Sequence, residues 1–142
     1  NGCAWSAVSN APWVTITEGS VDVGDGEVRY TVAANTGAAR QTTLTVAGRT
    51  FTVNQDAAPC SYTINPTTQT FTNAGGSGTV AVTTASHCAW TAVRNDSWIV
   101  VTAGASGTGN GTVTYTVAAR SGGGSRKGTI TIAGRTFTVQ QN

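Results

Sequence analysis

The sequence of 142 residues has no methionine, one histidine, three prolines and three cysteines, and charged residues make up only 10% of it. Long amphipathic helices need a charged face, which this composition cannot supply. No apolar run approaches the roughly 18 residues of a membrane helix, and no basic leader precedes an apolar core at the N-terminus. We therefore expect neither a helical protein nor one that inserts into a membrane.

Residues for catalysis are equally scarce. The single histidine, His87, lies beside a cysteine, and no recognisable motif supplies partners for a triad or a histidine-based metal site. We interpret it as an exposed histidine at a strand end. The net charge of +2 is spread over single arginines and the pair Arg126-Lys127, without a basic stripe for nucleic acid. We therefore expect a protein that is not an enzyme, needs no cofactor and does not bind nucleic acid.

Acidic residues cluster in one loop and offer the oxygen ligands of a weak calcium site. They are Glu18, Asp22, Asp25 and Glu27, and the corresponding residues later in the chain are Ala103, Gly107, Asn110 and Thr112. Such a site would be unique to the first half, and we predict no metal.

What the sequence does have is an internal duplication. Residues 3–35 match residues 88–120 at 17 of 33 positions, and residues 40–55 match residues 126–141 at 11 of 16. This degree of identity, at a period of 85 to 86 residues, indicates two copies of one module.

The two copies differ in length, because nothing before Cys3 matches the stretch from Cys60 to His87. We therefore divide the chain into a truncated repeat, residues 1–56, and a complete repeat, residues 57–142. A small β domain without its early strands leaves unpaired backbone at its sheet edges. The strand from Arg40 to Val46, with threonine and aliphatic side chains, is the edge that we expect to be open.

Apolar and polar residues alternate with a period of two through most of the chain, and Gly-rich turns such as Ala47-Gly48 separate the runs. This alternation, with many β-branched residues, is typical of half-buried strands. The strands predicted for the second repeat are residues 60–64, 69–72, 78–84, 88–94, 98–102, 111–119, 128–132 and 135–140, and the first repeat keeps counterparts of the last five. The pattern predicts an all-β chain of tandem antiparallel β-sandwiches.

The cysteines indicate an oxidising compartment. Cys60 and Cys88 lie in one repeat, and we predict a disulfide between them, with two buried free thiols as the alternative. Cys3 corresponds to Cys88, and its partner would lie in the segment that the first repeat lacks. We expect an intermolecular bond or a free thiol at Cys3 and an extracellular or cell-surface protein.

Four tryptophans are candidates for stacking on sugars. Trp5 and Trp90 each follow a cysteine by two positions, which places them on the same strand face as that cysteine and predicts core packing. Core packing is also favoured for Trp13 and Trp98, but these two remain candidate carbohydrate contacts.

Two sequons, at Asn95 and Asn110, lie in predicted loops and are candidate sites of N-glycosylation. The rows of exposed threonines are candidates for O-linked sugar.

The second repeat also carries a series of characteristic motifs. They are Cys60-Ser61-Tyr62-Thr63-Ile64-x-Pro66, Gly75-Gly76-Ser77-Gly78, Cys88-Ala89-Trp90, Ser97-Trp98-Ile99 and the run from Ile132 to Gln141. These motifs strongly resemble the BACON family and its close relatives, over residues 58–142 and, in truncated form, 3–55. The resemblance implies tandem immunoglobulin-like β-sandwiches on secreted or surface bacterial proteins. The family name implies carbohydrate or mucin binding.

The pairing of one whole repeat with one truncated repeat leads to our functional hypothesis. We expect a non-enzymatic extracellular structural protein whose subunits form a homo-oligomer, fibre or surface array by β-strand complementation. The alternative is a carbohydrate- or mucin-binding accessory module of a secreted or surface protein, with glycans as partners. A third interpretation is a piece of a longer tandem array.

Overall fold

The computed structural model describes residues 2–142, and strands are the only regular elements in this part of the chain. None of these residues forms a helix that is long and apolar enough to cross a membrane. The chain divides into two compact modules between Ala58 and Pro59. The prediction of an all-β chain of tandem β-sandwiches is confirmed.

In the first module, residues 2–58 form six strands in two sheets. They are β1 (Ala4–Ser9), β2 (Val14–Glu18), β3 (Val21–Val23), β4 (Arg29–Val32), β5 (Arg40–Val46) and β6 (Arg49–Gln55). One sheet has the order β3-β1-β5-β6, and the other pairs β2 with β4.

The second module contains nine strands. They are β7 (Thr63–Asn65), β8 (Thr68–Phe71), β9 (Gly76–Thr83), β10 (Ala89–Arg94), β11 (Ile99–Ala103), β12 (Ser106–Thr108), β13 (Gly111–Val117), β14 (Arg126–Ile132) and β15 (Arg135–Gln141). The sheet orders are β12-β10-β14-β15-β8 and β11-β13-β9-β7. All neighbours are antiparallel except β8 and β15, which run parallel. Strands β10 to β15 repeat β1 to β6, whereas β7, β8 and β9 have no counterpart in residues 2–58.

The tight turn that closes the last hairpin is the same in both modules. Ala47 and Gly48 have φ angles of 49° and 74°, and Ala133 and Gly134 have angles of 50° and 71°. Two successive positive φ angles are the signature of a type I′ turn, which matches the twist of a two-residue hairpin. The predicted turn between β5 and β6 is confirmed.

Each module has one short strand that the sequence did not predict, β3 in the first and β12 in the second. In β12, Gly107 lies opposite Trp90, and a Cβ at Gly107 would come within 2.5 Å of the Trp90 ring. Only glycine fits at this position, because the Trp90 ring occupies the space that a side chain would need. This is a tertiary contact, which local strand propensity does not reveal.

The expectation that the strand from Arg40 to Val46 is an open edge is wrong. This strand, β5, lies between β1 and β6, with Ala7 opposite Val46 on one side and Phe51 opposite Leu44 on the other. The pairing with β1 joins residues more than thirty positions apart, and periodicity does not indicate which distant strands pair. The edges that lack a neighbour present in the second module are β4 and β6, the counterparts of β13 and β15.

The two modules differ most in the size of their cores. The second module buries thirteen residues in one cluster: Ile64, Val80, Val82, Trp90, Ala92, Ile99, Val113, Tyr115, Val117, Ile130, Ile132, Phe137 and Val139. Among residues 2–58, the corresponding cluster contains Val14, Leu44 and Val53. Strands β7 and β9 contribute three of the thirteen residues, so the larger core depends on them.

Burial of Tyr115 leads to a prediction for alkaline pH. Desolvation raises the pKa of its hydroxyl to about 12, whereas the same group ionises near pH 10 in an unfolded chain. The stability that this shift contributes is complete below about pH 10 and is lost as the pH rises towards 12. Urea denaturation followed by circular dichroism should show a steeper loss of stability above pH 10 in the wild type than in Tyr115→Phe. Parallel pH profiles for the two proteins would contradict this.

Candidate functional site

The most distinctive surface of the molecule is an apolar face of the first module that its twin in the second module keeps covered. Tyr30 and Val32 on β4 are each 38% exposed, whereas the matching Tyr115 and Val117 on β13 are 0% and 4% exposed. In the second module β9 lies along β13 and pairs with all seven of its residues. The same side chains are thus exposed in one copy and buried in the other because a strand is present in the second.

Phe51 repeats this contrast on the opposite sheet. It is 48% exposed, and the matching Phe137 is fully buried. Phe137 packs on Tyr115 with the ring centroids 5.2 Å apart, and Phe71 of β8 meets the same Tyr115 ring edge-on at 6.0 Å. Tyr30 and Phe51 keep the first of these contacts, at 5.8 Å, without a third ring over them among the described residues.

These side chains enclose a groove between the two sheets of the first module. Its volume is about 240 Å³, and its lining is Val28, Tyr30, Leu44, Val46 and Phe51. Leu44, buried at the floor, ties the groove to the small core. We call these five residues the acceptor groove.

The backbone beside the groove is also unpaired on one side. The Ala33 amide donates to the Trp13 carbonyl, so alternation along the strand points the Val32 and Tyr30 amides away from β2. Within residues 2–58, β4 has no other neighbour and β6 pairs with β5 alone. The acceptor groove is therefore flanked by two strand edges that can accept further strands.

Polar groups beside the groove also have fewer partners than their twins. The Gln141 side-chain amide donates to the carbonyls of Thr72 and Ala118, at 3.0 and 3.1 Å. The matching amide of Gln55 donates to the carbonyl of Ala33, the counterpart of Ala118. No residue among 2–58 takes the place of Thr72.

Tyr115 and Tyr30 show the same difference. The Tyr115 hydroxyl donates to Gln69 Oε1 at 2.8 Å, and the Tyr30 hydroxyl has no such acceptor among residues 2–142. The groove therefore lacks both apolar and polar partners that its twin has.

Cysteine geometry matches the predicted pairing. Cys60 and Cys88 form a disulfide with their Cα atoms 5.7 Å apart, and Cys3 is a free, exposed thiol. The carbonyl of Cys3 accepts from the Gly24 amide at 3.0 Å, as the carbonyl of Cys88 accepts from Gly109 at 2.9 Å. The backbone of Cys3 is therefore positioned like that of Cys88, but its sulfur has no disulfide partner among residues 2–142.

Comparison with known families agrees with the resemblance found in the sequence. Residues 4–56 match the BACON family described as "Putative binding domain, N-terminal", and residues 61–142 match the related "Viral BACON domain". The chain belongs to the BACON family. BACON domains are binding modules rather than catalytic ones.

Comparison with solved structures found partial similarity to two other chains. The Bacteroides ovatus GH5 xyloglucanase, in complex with a XXXG heptasaccharide, is 20% identical with a TM-score of 0.51, and the match covers 58% of this chain and 19% of that chain. Domains 4 and 5 of the S-layer protein SbsC are 16% identical with a TM-score of 0.44, over 97% and 69% of the two chains. This chain thus spans about a fifth of the xyloglucanase. No curated protein sequence matches it.

The tryptophans of both BACON modules contribute to packing. Trp90 is buried, as predicted, and its indole nitrogen donates to the Gly109 carbonyl at 2.7 Å. Trp5 is half-buried and makes the matching bond to Gly24 at 2.8 Å. In each module, the hydrogen bond from the indole nitrogen therefore holds the loop that follows β3 or β12.

Trp13 and Trp98, the candidate sugar contacts, are half-buried and lie against their modules' cores. The Arg40 guanidinium lies over the Trp13 ring at 4.4 Å, and Arg126 lies over Trp98 at 4.1 Å. The guanidinium thus covers one of the two ring faces on which a sugar could stack. Carbohydrate contact at these residues stays a prediction.

Both sequon asparagines are exposed and hydrogen-bonded. The Asn95 side-chain amide donates to the hydroxyls of Thr129 and Thr131, at 2.9 and 3.0 Å. Asn110 accepts from the Thr84 amide at 2.9 Å. Glycosylation at these positions stays a prediction.

The acidic loop and His87 also differ from what a ligand site requires. Arg29 pairs with Glu18 at 3.3 Å and with Glu27 at 2.9 Å, so two of the four acids are paired with a cation. Among the described residues, only Cys60, His87 and Cys88 bring three potential metal-ligand atoms within 4.8 Å, and the two cysteines are bonded to each other. His87 is partly buried beside this disulfide rather than exposed, with Nε2 3.6 Å from Cys88 Sγ.

The acceptor groove leads to a prediction for hydrophobic dye binding. An environment-sensitive dye such as anilinonaphthalene sulfonate should bind the groove, because Tyr30 and Phe51 expose contiguous apolar surface. Phe51→Asp should reduce the dye fluorescence several-fold without unfolding the chain. The matched control is Val93→Asp, at a residue of the second module that is 57% exposed outside the groove. Equal losses from the two variants would contradict this assignment.

Proposed function

We propose that this chain is a non-enzymatic structural subunit of an extracellular or cell-surface fibre or array. In the assembly, the acceptor groove of each first module is filled by a β-strand of a neighbouring subunit. The observation that carries the proposal is the contrast between Tyr30 and Phe51, which are exposed, and Tyr115 and Phe137, which are buried by the module's own strands.

The energetics favour occupation of the groove. Full burial of a large apolar side chain stabilises by about 1.5 to 3 kcal/mol. The exposed candidates are Tyr30 and Phe51 in the groove and Val32 beside it. An added strand also satisfies the outward amides of β4, whose hydrogen bonds give affinity while side-chain pockets give specificity. Part of this gain is offset by the ordering of the incoming strand.

The symmetry of such a contact favours a polymer. A strand given by one subunit and a groove offered by the next are different surfaces, so the contact is heterologous. Heterologous contacts propagate into filaments unless the rotation between subunits closes a ring. The disulfide between Cys60 and Cys88 supports an oxidising, extracytoplasmic setting.

Electron microscopy and light scattering of the native protein test the proposal. We expect fibres or ordered arrays, and Val32→Pro should raise the concentration needed for assembly about tenfold or more, because proline removes an outward amide of β4. Val23→Pro is the matched control, since Val23 lies on β3, an outer strand of the same module away from the groove. Monomeric wild-type protein, or equal assembly of wild type and Val32→Pro, would refute the proposal.

Carbohydrate binding is the alternative function. It is supported by the description of the family as a binding domain and by the partial exposure of Trp13 and Trp98. A glycan array should then show binding that is lost in Trp98→Ala while circular dichroism stays unchanged. If Trp98→Ala instead unfolds the second module, the ring serves the core and the alternative fails.

A further inference from the structure

The occupant of the acceptor groove can be specified by its sequence pattern. We propose that it is a segment of a neighbouring subunit that repeats the pattern of residues 60–83 and forms a disulfide with Cys3. This inference rests on the proposed function, because it names the partner of the same groove. It goes further by fixing the register, two obligatory residue types and a covalent bond.

The register follows from the duplication. In the second module β9 runs antiparallel to β13, with Val80 opposite Val113 and Gly78 opposite Tyr115. The first module offers Val28, directly before β4, and Tyr30 on β4 at the matching places. The incoming strand therefore places an aliphatic residue opposite Val28 and the residue two positions earlier opposite Tyr30.

The residue opposite Tyr30 has to be glycine. A Cβ at Gly78 would lie 2.5 Å from the Tyr115 hydroxyl oxygen and 2.7 Å from its ring carbon Cζ. The tyrosine ring thus crosses the backbone of the strand beside it and leaves no room for a side chain. Since Tyr30 is the same residue in the same position, its partner strand is subject to the same exclusion.

A second part of the occupant lies along β6. In the second module β8 runs parallel to β15, with Gln69 opposite Val139 and Phe71 opposite Gln141. A matching segment would bring a glutamine oxygen to the Tyr30 hydroxyl and an aromatic ring over Tyr30. The carbonyl that follows would reach the Gln55 side-chain amide, as Thr72 reaches Gln141.

The occupant also brings a sulfur to Cys3. Cys3 and Cys88 accept equivalent backbone hydrogen bonds, and in the second module the sulfur partner, Cys60, lies just before β7. A cysteine at that place in the occupant would meet the exposed Cys3 thiol. The new S–S bond takes two protons and two electrons from the two thiols, and a low-molecular-weight disulfide accepts them and becomes two thiols.

The chain's own segment is already in use. Val80 and Val82 of β9 are buried in the second module, and the same is true of these residues in every identical subunit. The occupant is therefore another segment of the neighbouring subunit, outside residues 2–142, with the same pattern. Cys60 and Cys88 are likewise bonded to each other, which leaves Cys3 as the thiol available to a partner within the described residues.

A synthetic peptide with the sequence of residues 58–84, activated at Cys60 as a 2-pyridyl disulfide, tests the inference. The Cys3 thiolate attacks the peptide sulfur, a new S–S bond forms, and pyridine-2-thione leaves, which its absorbance reports. We expect reaction with the full chain about tenfold or more faster than with a scrambled peptide of the same composition, because docking raises the effective concentration. Cys3→Ser should abolish the reaction.

A peptide with Gly78→Val is the sharpest comparison, since it keeps the cysteine and adds a side chain where Tyr30 excludes one. It should react as slowly as the scrambled peptide. Equal rates for the native and Gly78→Val peptides would overturn the register, and equal rates for the native and scrambled peptides would overturn the pattern.

Native assemblies separate this inference from the proposed function. Non-reducing electrophoresis should show a ladder of chains that is lost in Cys3→Ser, whereas Cys3 bonded within its own polypeptide would overturn the neighbouring subunit as source. If the peptide docks as expected but the protein never assembles, the proposed function fails and the groove's specificity stands. If fibres form while the peptide is ignored, the inference fails and the proposed function stands.

Discussion

The covering of one tyrosine by one strand is the contact on which the rest of the structure depends. In the second module Tyr115 lies beneath β9, between Phe71 and Phe137, with its hydroxyl on Gln69. The same ring in the first module, Tyr30, retains a single aromatic neighbour. A small β module buries little apolar surface, so the loss of the strand that covers this ring lowers its stability appreciably. The difference between a closed module and an open one therefore comes down to whether a strand lies along β4.

The close contact between the tyrosine ring and the neighbouring strand makes the open face selective for the sequence of that strand. Glycine is the only residue that fits opposite the tyrosine, since a Cβ at Gly78 would meet the ring. An apolar groove alone would accept many strands, but the ring's path across the partner backbone rejects most of them. In the proposed assembly, the packing that leaves the first module open therefore also restricts which strand it can bind.

Much of the fold could be predicted from the sequence. The alternation of apolar and polar residues and the turns are local signals, and the duplication is visible by comparing the two halves. The disulfide and the burial of Trp90 follow from position within the repeat. The parallel pairing of β8 with β15, the short strands β3 and β12 and the central place of β5 could not be predicted, since each depends on contacts between distant residues. Tyr30 and Phe51 were missed as site residues. The signal was present, because both match residues whose covering strands lie in residues 60–83.

Amide hydrogen exchange at Tyr30 and Val32 tests the central claim most directly, with Tyr115 and Val117 as internal references. In the dispersed chain we expect the outward amides of β4 to exchange much faster than their twins on β13, and in assembled material we expect both pairs to be protected alike. Strong protection of Tyr30 and Val32 in a solitary monomer, or no gain on assembly, would contradict the account.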